Sequence, residues 1–459
     1  MLVANATRFA CDLATAHRSV AGCDQCTWWQ QPPLATTAVA ASARRPPTTA
    51  WFMCINKPQA HLFTRHSQFI DLVMVAVKSA RLHAPSLQPY VLYMHSDGQR
   101  FEDADPLASW LVAEGVRVVN ERLSFAAHVP RVRWRMKTLT GICKLDIPRV
   151  AHSLADELTS RGLDRDRVLW TDADVLFAGD WSPPPGALLQ SVPRARARGA
   201  AARARSGAVN MAAEGMAMAG WPTSATTREA HQDGSRGGGD PLRGFAFAAG
   251  TEVFSPTLNS GVIYANVSAF VTAWPSMLAF AIRRRFKFAV ADQSWMQAFF
   301  GDHWVRLDDA VYNARPFTHP RRHDLGPIRG TRRVDGGLPR PPRIWHWHGY
   351  KHTDVRCWLR AMANGSWPER AWRPPRHCES RRGSCSYKPI RGSGCRYLGR
   401  ITPSRCYLRT YTYLLEQHEQ LLAMARATWS WNGSGSTAAR PSASSTRRPR
   451  GRSGEPSAS

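Results

Sequence analysis

Short apolar strand patterns alternate with helical patterns along the first part of the chain, and this order limits the possible folds more than any other feature. The strand patterns cover residues 51–56, 90–94, 116–119 and 167–171, and the helical patterns cover 61–83, 107–114 and 134–158, the last interrupted near Pro148. Alternating strands and helices with short connections are typical of a parallel sheet covered by helices. We therefore predict an α/β fold with a doubly wound, mostly parallel sheet.

The second half of the chain continues this pattern with interruptions. We predict strands at 258–266, 304–307 and 344–349, and helices at 268–286 and 292–300. Residues 183–240 are rich in Ala, Arg, Gly and Met and lack periodicity, which indicates a disordered insertion. The predicted domains are a disordered or targeting segment at 1–49, one α/β domain at 50–360, a Cys-containing extension at 361–433 and a disordered tail at 434–459.

The chain is strongly basic, with a formal net charge of +27, but this charge does not by itself indicate nucleic acid as a partner. The excess is mostly Arg, much of it in segments without periodicity such as 194–205 and 447–452, in a chain also rich in Ala, Gly and Pro. A GC-rich coding sequence produces this bias without selection for a polyanion. A small substrate that carries phosphates agrees with the charge equally well.

Cysteines and sequons bear on the compartment of the protein. Five of the ten Cys lie between residues 357 and 406 without paired C-x-x-C spacing, which favours a small disulfide framework over a zinc site. Sequons at Asn5, Asn266, Asn364 and Asn432 are compatible with a secretory lumen. No stretch reaches the roughly 20 apolar residues that span a membrane, so no membrane anchor is visible in this sequence.

Two carboxylates follow the strand pattern at 167–171 directly. Asp172 and Asp174 stand between this strand and the apolar run at 175–177. Ligands of open α/β sheets bind at the carboxyl ends of strands. Carboxylates so embedded resist ionisation unless a cation or hydrogen-bond donors compensate, and Mg²⁺ and Mn²⁺ prefer such oxygen ligands. The pair therefore predicts a metal site, with an Asp-capped turn as the structural alternative.

A second group of candidates lies near the last predicted strand. His346 and His348 could ligate an ion such as Mn²⁺, Gly349 allows the backbone to approach a phosphate, and Lys351 offers a positive charge. The alternative is that both histidines only pack between neighbouring tryptophans.

Four further residues are candidates by position. Asn259 could hydrogen-bond a sugar hydroxyl at a strand edge, where Gly261 avoids a clash, or it could simply start a strand. Asp292 begins a predicted helix and could line a site, act as an N-cap, or do both. Lys137 could reach a diphosphate or belong to a solvated basic helix face.

Five motifs occur in an order that resembles the glycogenin-like glycosyltransferases (family 8) and related nucleotide-diphospho-sugar transferases, over about residues 51–359 without the insertion. The motifs are Lys137-Thr138-Leu139, Leu169-Trp170-Thr171-Asp172-Ala173-Asp174-Val175-Leu176, Leu258-Asn259-Ser260-Gly261-Val262-Ile263-Tyr264, Asp292-Gln293 and His346-Trp347-His348-Gly349-Tyr350-Lys351.

This resemblance implies a GT-A fold for residues 50–360 and Mn²⁺ (or Mg²⁺) bound by Asp172, Asp174 and one C-terminal His. The donor UDP-sugar would contact Lys137, Asp172, Ala173, Gly261, Gly349 and Lys351, and the catalytic positions would be Asn259 and Asp292. The family pattern His-x-x-Gly-x-x-Lys-Pro places the metal ligand at His346. Here Lys351 comes one residue early and His352 replaces the Pro, so His348 remains an alternative ligand.

The function expected from this resemblance is transfer of a hexose from a UDP-sugar to a glycan, a protein or a small molecule, with retention of configuration. The expected location is the secretory pathway, in the Golgi lumen, with the cytoplasm as the alternative because no signal or transmembrane segment is evident. Two other functions remain open. One is a metal-dependent nucleotidyltransferase, which the missing phosphate-binding Gly loop near the first strand disfavours. The other is a polyanion-binding protein on a degenerate transferase scaffold.

Overall fold

The structure, a computed structural model, describes the segments that form the predicted α/β core. They are residues 46–56, 63–95, 106–129, 142–183, 190–191, 242, 244–252, 257–288, 291–301, 303–315, 342–347, 356 and 405–429. The candidate residues Lys137, His348, Gly349 and Lys351 lie outside these segments, as do both tails, most of the predicted insertion and most of the cysteine-rich stretch.

An eight-stranded sheet forms the centre of the described part of the chain. Its strands are β1 (Thr49–Asn56), β2 (Leu87–His95), β3 (Arg117–Arg122), β4 (Arg167–Thr171), β6 (Gln190–Ser191), β7 (Phe247–Thr251), β8 (Leu258–Asn266) and β9 (Val305–Arg306), and β5 (Val175–Phe177) stands apart from it. The spatial order is β3-β2-β1-β4-β8-β7-β9-β6. Strands β3, β2, β1 and β4 are parallel, β8 is antiparallel to β4 and β7, β9 is parallel to β7, and β6 is antiparallel to β9. The predicted mostly parallel sheet is confirmed.

Helices cover both faces of this sheet, as a doubly wound fold requires. They are α1 (Phe63–His83), α2 (Pro106–Ala113), α3 (Ile147–Ser153), α4 (Ala155–Ser160), α5 (Val267–Arg283), α6 (Ala291–Phe300), α7 (Asp309–Tyr312) and α8 (Arg405–Thr428). On one face α1, α2 and α8 share a hydrophobic cluster, and on the other face α3 to α6 share a second one. Successive strand residues point to opposite faces, so Trp51 and Met53 of β1 enter the first cluster while Phe52 and Cys54 enter the second.

The helical region predicted at 134–158 is divided into short pieces where the structure describes it. A 3₁₀ turn at Cys143–Asp146 leads into α3, and α4 follows after Leu154. Pro148 lies in the first turn of α3. A missing backbone N–H is tolerated there because the first N–H groups of a helix have no partner within the helix.

A second sheet of two strands begins directly after the carboxyl end of β4. Strand β10 (Ile344–His346) pairs with β5 in antiparallel orientation, with His346 opposite Val175. In the described part of the strand predicted at 344–349, residues Ile344–His346 form a strand of this two-stranded sheet, and Trp347 follows it. Its register brings the end of β10 beside the carboxylates that precede β5.

The C-terminal helix α8 was not identified from the sequence, where it fell within the Cys-containing extension. It packs on α1, and Arg426 forms an ion pair with Asp71 at 2.8 Å. Trp110 of α2 donates its indole N–H to the carbonyl of Ala425 at 3.2 Å. Among the helices of the described segments, none combines the length and apolar character that crossing a bilayer requires.

On the second face of the sheet, a disulfide joins strand β1 to the 3₁₀ turn at Cys143–Asp146. Cys54 near the end of β1 is bonded to Cys143 at the start of the 3₁₀ turn, 89 residues later. Both residues are buried. The bridge ties the turn that carries Lys144 to the carboxyl end of the first strand.

Candidate metal centre

The two motif carboxylates lie on a short connection that backbone hydrogen bonds hold at both ends. Strand β4 pairs with β8 as far as Thr171, opposite Val262, and the next residue, Asp172, donates its N–H to the carbonyl of Gly261 at 2.9 Å. The carbonyl of Asp174 accepts the N–H of Trp347 at 2.8 Å. The connection is therefore held between β8 and the end of β10, at the carboxyl end of β4.

His346 lies beside both carboxylates. Its Nε2 atom is 3.5 Å from Oδ1 of Asp174 and 3.7 Å from Oδ2 of Asp172. The potential ligand atoms of the three residues lie within 4.8 Å of one another. Ligands that share one ion at the roughly 2.1 Å typical of Mg²⁺ lie about 3–4 Å apart. The trio predicted from the sequence is therefore brought together and fits a divalent cation.

The environment of the imidazole keeps it uncharged. Burial lowers the pKa of His346 to about 4, against the opposing effect of Asp172, and nearby Arg315 and Lys144 act in the same direction as burial. A metal ligand must be the neutral imidazole, because the imidazolium has no free lone pair. The ring is thus in the state that ligation needs at neutral pH.

Gly261 is required by the position of this ring. A Cβ atom at residue 261 would lie 2.0 Å from Cε1 of His346, so the ring lies directly against the backbone of β8. From the sequence, Gly261 is expected to avoid a clash beside Asn259 and, by the family resemblance, to contact the donor. The structure adds a second reason, which is room for the imidazole.

A Gly261→Ala variant is therefore expected to displace His346 and weaken Mn²⁺ binding. Loss of a residue that hydrogen-bonds a metal ligand reduces the metal affinity roughly 10–100-fold. Displacement of the ligand itself should reduce the affinity at least as much. Gly179→Ala is the matched control, because a Cβ there would meet its nearest neighbour, Arg343, at an ordinary 3.5 Å. Titration of Mn²⁺ followed by electron paramagnetic resonance measures both variants. Equal affinities for Gly261→Ala and the wild-type protein would contradict this role of Gly261.

Lys144, a buried lysine that was not a candidate from the sequence, pairs with two carboxylates of the site. Lys144 lies in the 3₁₀ turn, and its Nζ is 2.6 Å from Oδ1 of Asp172, 2.9 Å from Oδ2 of Asp292 and 3.2 Å from the carbonyl of Ser260. Burial by itself lowers the pKa of Lys144, but Asp172 and Asp292 outweigh burial and raise the pKa. Lys144 is therefore a permanent cation between a metal-ligand candidate and a catalytic candidate.

The candidate Asp292 is the second residue of α6 and is turned into the site. Only 6% of its side chain is exposed, and burial raises the pKa of Asp292 while Lys144 opposes the rise. The carboxylate is thus engaged with Lys144, in contrast to the alternative in which it only caps the helix.

The candidate Asn259 lies in a buried hydrogen-bonded group that also includes Gln293. Oδ1 of Asn259 accepts from the N–H of Gly261 at 3.1 Å, and Nδ2 donates to Oε2 of Glu252 at 3.2 Å and to Oε1 of Gln293 at 3.4 Å. Gln293 in turn donates to Glu252 at 3.1 Å. Glu252 and Asn313, which bonds both His346 and Asn259, were missed in the sequence because neither stands in a recognisable motif.

Comparisons with known proteins give similarity to solved structures. No protein-family model matches the chain, and no curated protein matches it in sequence. An active-site mutant of LgtC is similar with 12% identity and a TM-score of 0.37, covering 66% of this chain and 88% of that one. The glycosyltransferase GlyE of Streptococcus pneumoniae TIGR4 has 15% identity and a TM-score of 0.33, with 66% of this chain and 57% of that one covered. Core-mannan synthase A of Aspergillus fumigatus, in a Mn/GDP form, has 12% identity and a TM-score of 0.26, with 60% and 75% covered. All three TM-scores lie below 0.5, so no property of these proteins is carried over to this chain.

Proposed function

We propose that this chain is a metal-dependent glycosyltransferase of the GT-A type. It would move a sugar, expected to be a hexose, from a UDP-sugar to a glycan, a protein or a small molecule. The observation that supports this best is the meeting of Asp172, Asp174 and His346 at the carboxyl end of β4, beside the buried Lys144–Asp292 pair. Carboxylates, a neutral imidazole and a buried cation together suit a diphosphate that leaves with a divalent ion.

Asp172, Asp174 and His346 would hold the Mn²⁺ (or Mg²⁺) ion. Two oxygens and one nitrogen leave other coordination positions for phosphate oxygens. A divalent cation in this place neutralises the negative charge that grows on the leaving diphosphate.

Lys144 has two roles in this proposal. It fixes Oδ1 of Asp172 at 2.6 Å, so that Oδ2 is left on the side of His346. It also opposes the rise in the pKa of Asp292 that burial causes. We propose that the Asp292 carboxylate faces the sugar and stabilises positive charge that develops at the anomeric carbon, which agrees with a retaining reaction.

The remaining candidates have supporting roles. We propose that Asn259 acts mainly by orienting Gln293 and Glu252, since both ends of its amide are engaged by protein groups. Gly261 makes room at the metal site, and Ala173 is a small buried residue between the two carboxylates. Lys137, Gly349 and Lys351 are proposed to contact the donor phosphates.

The secretory pathway, with the Golgi lumen as the site of action, is the proposed location. The buried Cys54–Cys143 disulfide supports it, because such bonds persist in oxidising compartments. Alkylation of thiols in the protein from its native source, unfolded in denaturant because both cysteines are buried, before and after reduction, tests this proposal. Alkylation of both cysteines without reductant would contradict it.

Calorimetric titration with UDP, with and without Mn²⁺, tests the proposed function. We expect UDP to bind only when Mn²⁺ is present, because the three ligands and the phosphates would share the ion. A subsequent screen of UDP-sugars for Mn²⁺-dependent hydrolysis would identify the sugar. Absence of metal-dependent UDP binding would overturn the proposal.

A further inference from the structure

We propose that Asn313 is a positioning residue that fixes the proton of His346 on Nδ1 and thereby keeps Nε2 open for the metal ion. Asn259 in turn fixes the orientation of the Asn313 amide. This inference rests on the proposed metal site but can be tested without metal. It gives a function to the side-chain amides of Asn259 and Asn313, which are both buried.

The backbone holds Asn313 and His346 on adjacent segments. Asn313 follows α7 directly and is 1% exposed. The next residue, Ala314, donates its N–H to the carbonyl of Ile344 at 2.9 Å and accepts the N–H of His346 at 2.7 Å. These two hydrogen bonds bring the side chains together, with Oδ1 of Asn313 at 2.9 Å from Nδ1 of His346.

The orientation of the Asn259 amide follows from a group whose polarity cannot change. A backbone N–H only donates, so the Asn259 atom that lies 3.1 Å from the N–H of Gly261 must be the oxygen. The other end of the amide is then the nitrogen, and it lies 3.2 Å from a carboxylate oxygen of Glu252, which accepts. Both ends agree on one orientation.

This orientation determines that of Asn313. Oδ1 of Asn259 also lies 3.2 Å from the Asn313 amide, which must therefore present its nitrogen to Asn259. The Asn313 oxygen then faces Nδ1 of His346. Because an amide oxygen only accepts, the neutral ring carries its proton on Nδ1 and its lone pair on Nε2. Nε2 is the atom next to the carboxylates of Asp172 and Asp174.

Two glycines on neighbouring strands make room for this chain of contacts. Gly250 of β7 is paired with Asn259 of β8. A Cβ at Gly250 would lie 2.2 Å from Nδ2 of Asn313, and a Cβ at Gly261 would lie 2.0 Å from the His346 ring. The amide and the imidazole thus both lie against bare backbone, which leaves them little freedom to rotate away.

Nuclear magnetic resonance of ¹⁵N-histidine-labelled protein, without metal, tests the proton position directly. The His346 signals are assigned by their loss in a His346→Gln variant. We expect the pattern of a neutral ring protonated on Nδ1. A ring protonated on Nε2 would overturn the inference, whatever the protein does with UDP, so its failure is distinct from failure of the proposed function.

Two substitutions at Asn313 separate positioning from packing. Asn313→Leu keeps much of the volume but removes the acceptor, so Mn²⁺ affinity should fall roughly 10–100-fold, as for other outer-shell partners. Asn313→Asp keeps an acceptor for Nδ1 and should retain most of the affinity and the Nδ1-protonated signal. Wild-type affinity in Asn313→Leu, or equal losses in both variants, would overturn the inference.

A stability control uses an asparagine at the other end of β8. Asn266 caps α5 by accepting the N–H of Ala269 at 3.1 Å. Asn266→Leu should lower the melting temperature without changing Mn²⁺ affinity. If Asn266→Leu weakened Mn²⁺ binding as much as Asn313→Leu does, the loss at Asn313 would reflect stability alone and the inference would fail.

Discussion

An Asp174→Asn variant is expected to lose Mn²⁺-dependent UDP binding while remaining folded. The substitution preserves the shape of the side chain and the backbone carbonyl that accepts the N–H of Trp347, but it removes the charge 3.5 Å from His346. Loss of a direct ligand should exceed the roughly 10–100-fold effect of losing an outer-shell partner. Calorimetry with Mn²⁺ and UDP measures the loss, and circular dichroism confirms the fold.

Asp164→Asn is a matched control for this experiment. Asp164 precedes β4 at the end opposite the site, where Oδ1 accepts the N–H groups of Asp166 and Arg167, and an asparagine oxygen can accept the same bonds. This control should bind Mn²⁺ and UDP normally. Normal metal-dependent UDP binding by Asp174→Asn would exclude Asp174 as a metal ligand and leave the proposed function without its main support.

A Lys144→Met variant is expected to be strongly destabilised, because it leaves Asp292 buried without a cation. Lys144 and Asp292 are 5% and 6% exposed at the side chain, and breaking such a buried pair reduces the free energy of unfolding by about 3–5 kcal/mol. Adding Asp292→Asn removes the uncompensated charge, so the double variant should be more stable than Lys144→Met alone. Urea unfolding of the wild-type protein, of Lys144→Met and of the double variant measures the three free energies of unfolding.

The instability of Lys144→Met should depend on pH. Burial already raises the pKa of Asp292 in the wild-type protein, and removing Lys144 removes the opposing effect. A carboxyl group whose pKa is raised on folding binds protons in the folded state, so stability increases as the pH falls. The deficit relative to wild type should therefore shrink as the pH is lowered from neutral, and a deficit that grows would contradict the ion-pair explanation.

Lys78→Met is the control for loss of a lysine elsewhere. Lys78 pairs with Glu114 at 2.9 Å on the other face of the sheet, with side chains 13% and 11% exposed. It should also lower stability. Unlike Lys144→Met, it should leave metal-dependent UDP binding intact in the folded fraction.

The sequence predicted the sheet and the carboxylates Asp172 and Asp174 because both are marked by local patterns. An apolar strand that ends in Asp172 and Asp174 marks the carboxyl edge of a sheet without knowledge of distant contacts. The third candidate ligand, His346, came from the family pattern His-x-x-Gly-x-x-Lys-Pro, with His348 as the alternative. Its pairing with β5 then explains why it lies beside Asp174, since His346 is opposite Val175 in the small sheet.

Lys144 and Asn313 could not be predicted in this way because their roles depend on contacts between distant segments. Lys144 is 28 residues from Asp172, on a turn whose position depends on β1 and the Cys54–Cys143 bond. From the sequence, Lys137 was the candidate lysine because the family resemblance places it in contact with the donor. Asn313 stands in no motif, and only the distance to Nδ1 of His346 reveals it.

Helix α8 could have been predicted, since its buried residues recur at helical spacing. The apolar ones among them are Leu414, Leu415, Leu421, Leu422 and Ala425. The surrounding Cys, Arg and Ser composition hid this pattern, because the stretch was interpreted as one extension. The composition of the whole extension at 361–433 thus concealed the helical periodicity of residues 405–428.

The position of α8 also has a consequence for synthesis of the protein. Arg426 contacts Asp71 of the first helix across 355 residues, and His418 lies against Trp347, the neighbour of the candidate ligand His346, with ring centroids 6.1 Å apart. Contacts of such long sequence separation carry a large loop-closure cost, which slows folding. While the chain emerges from the ribosome, the sheet can assemble first, but the segment around His346 stays uncovered until residues 405–428 are available. The surroundings of the candidate metal site are thus complete only when the last helix is in place.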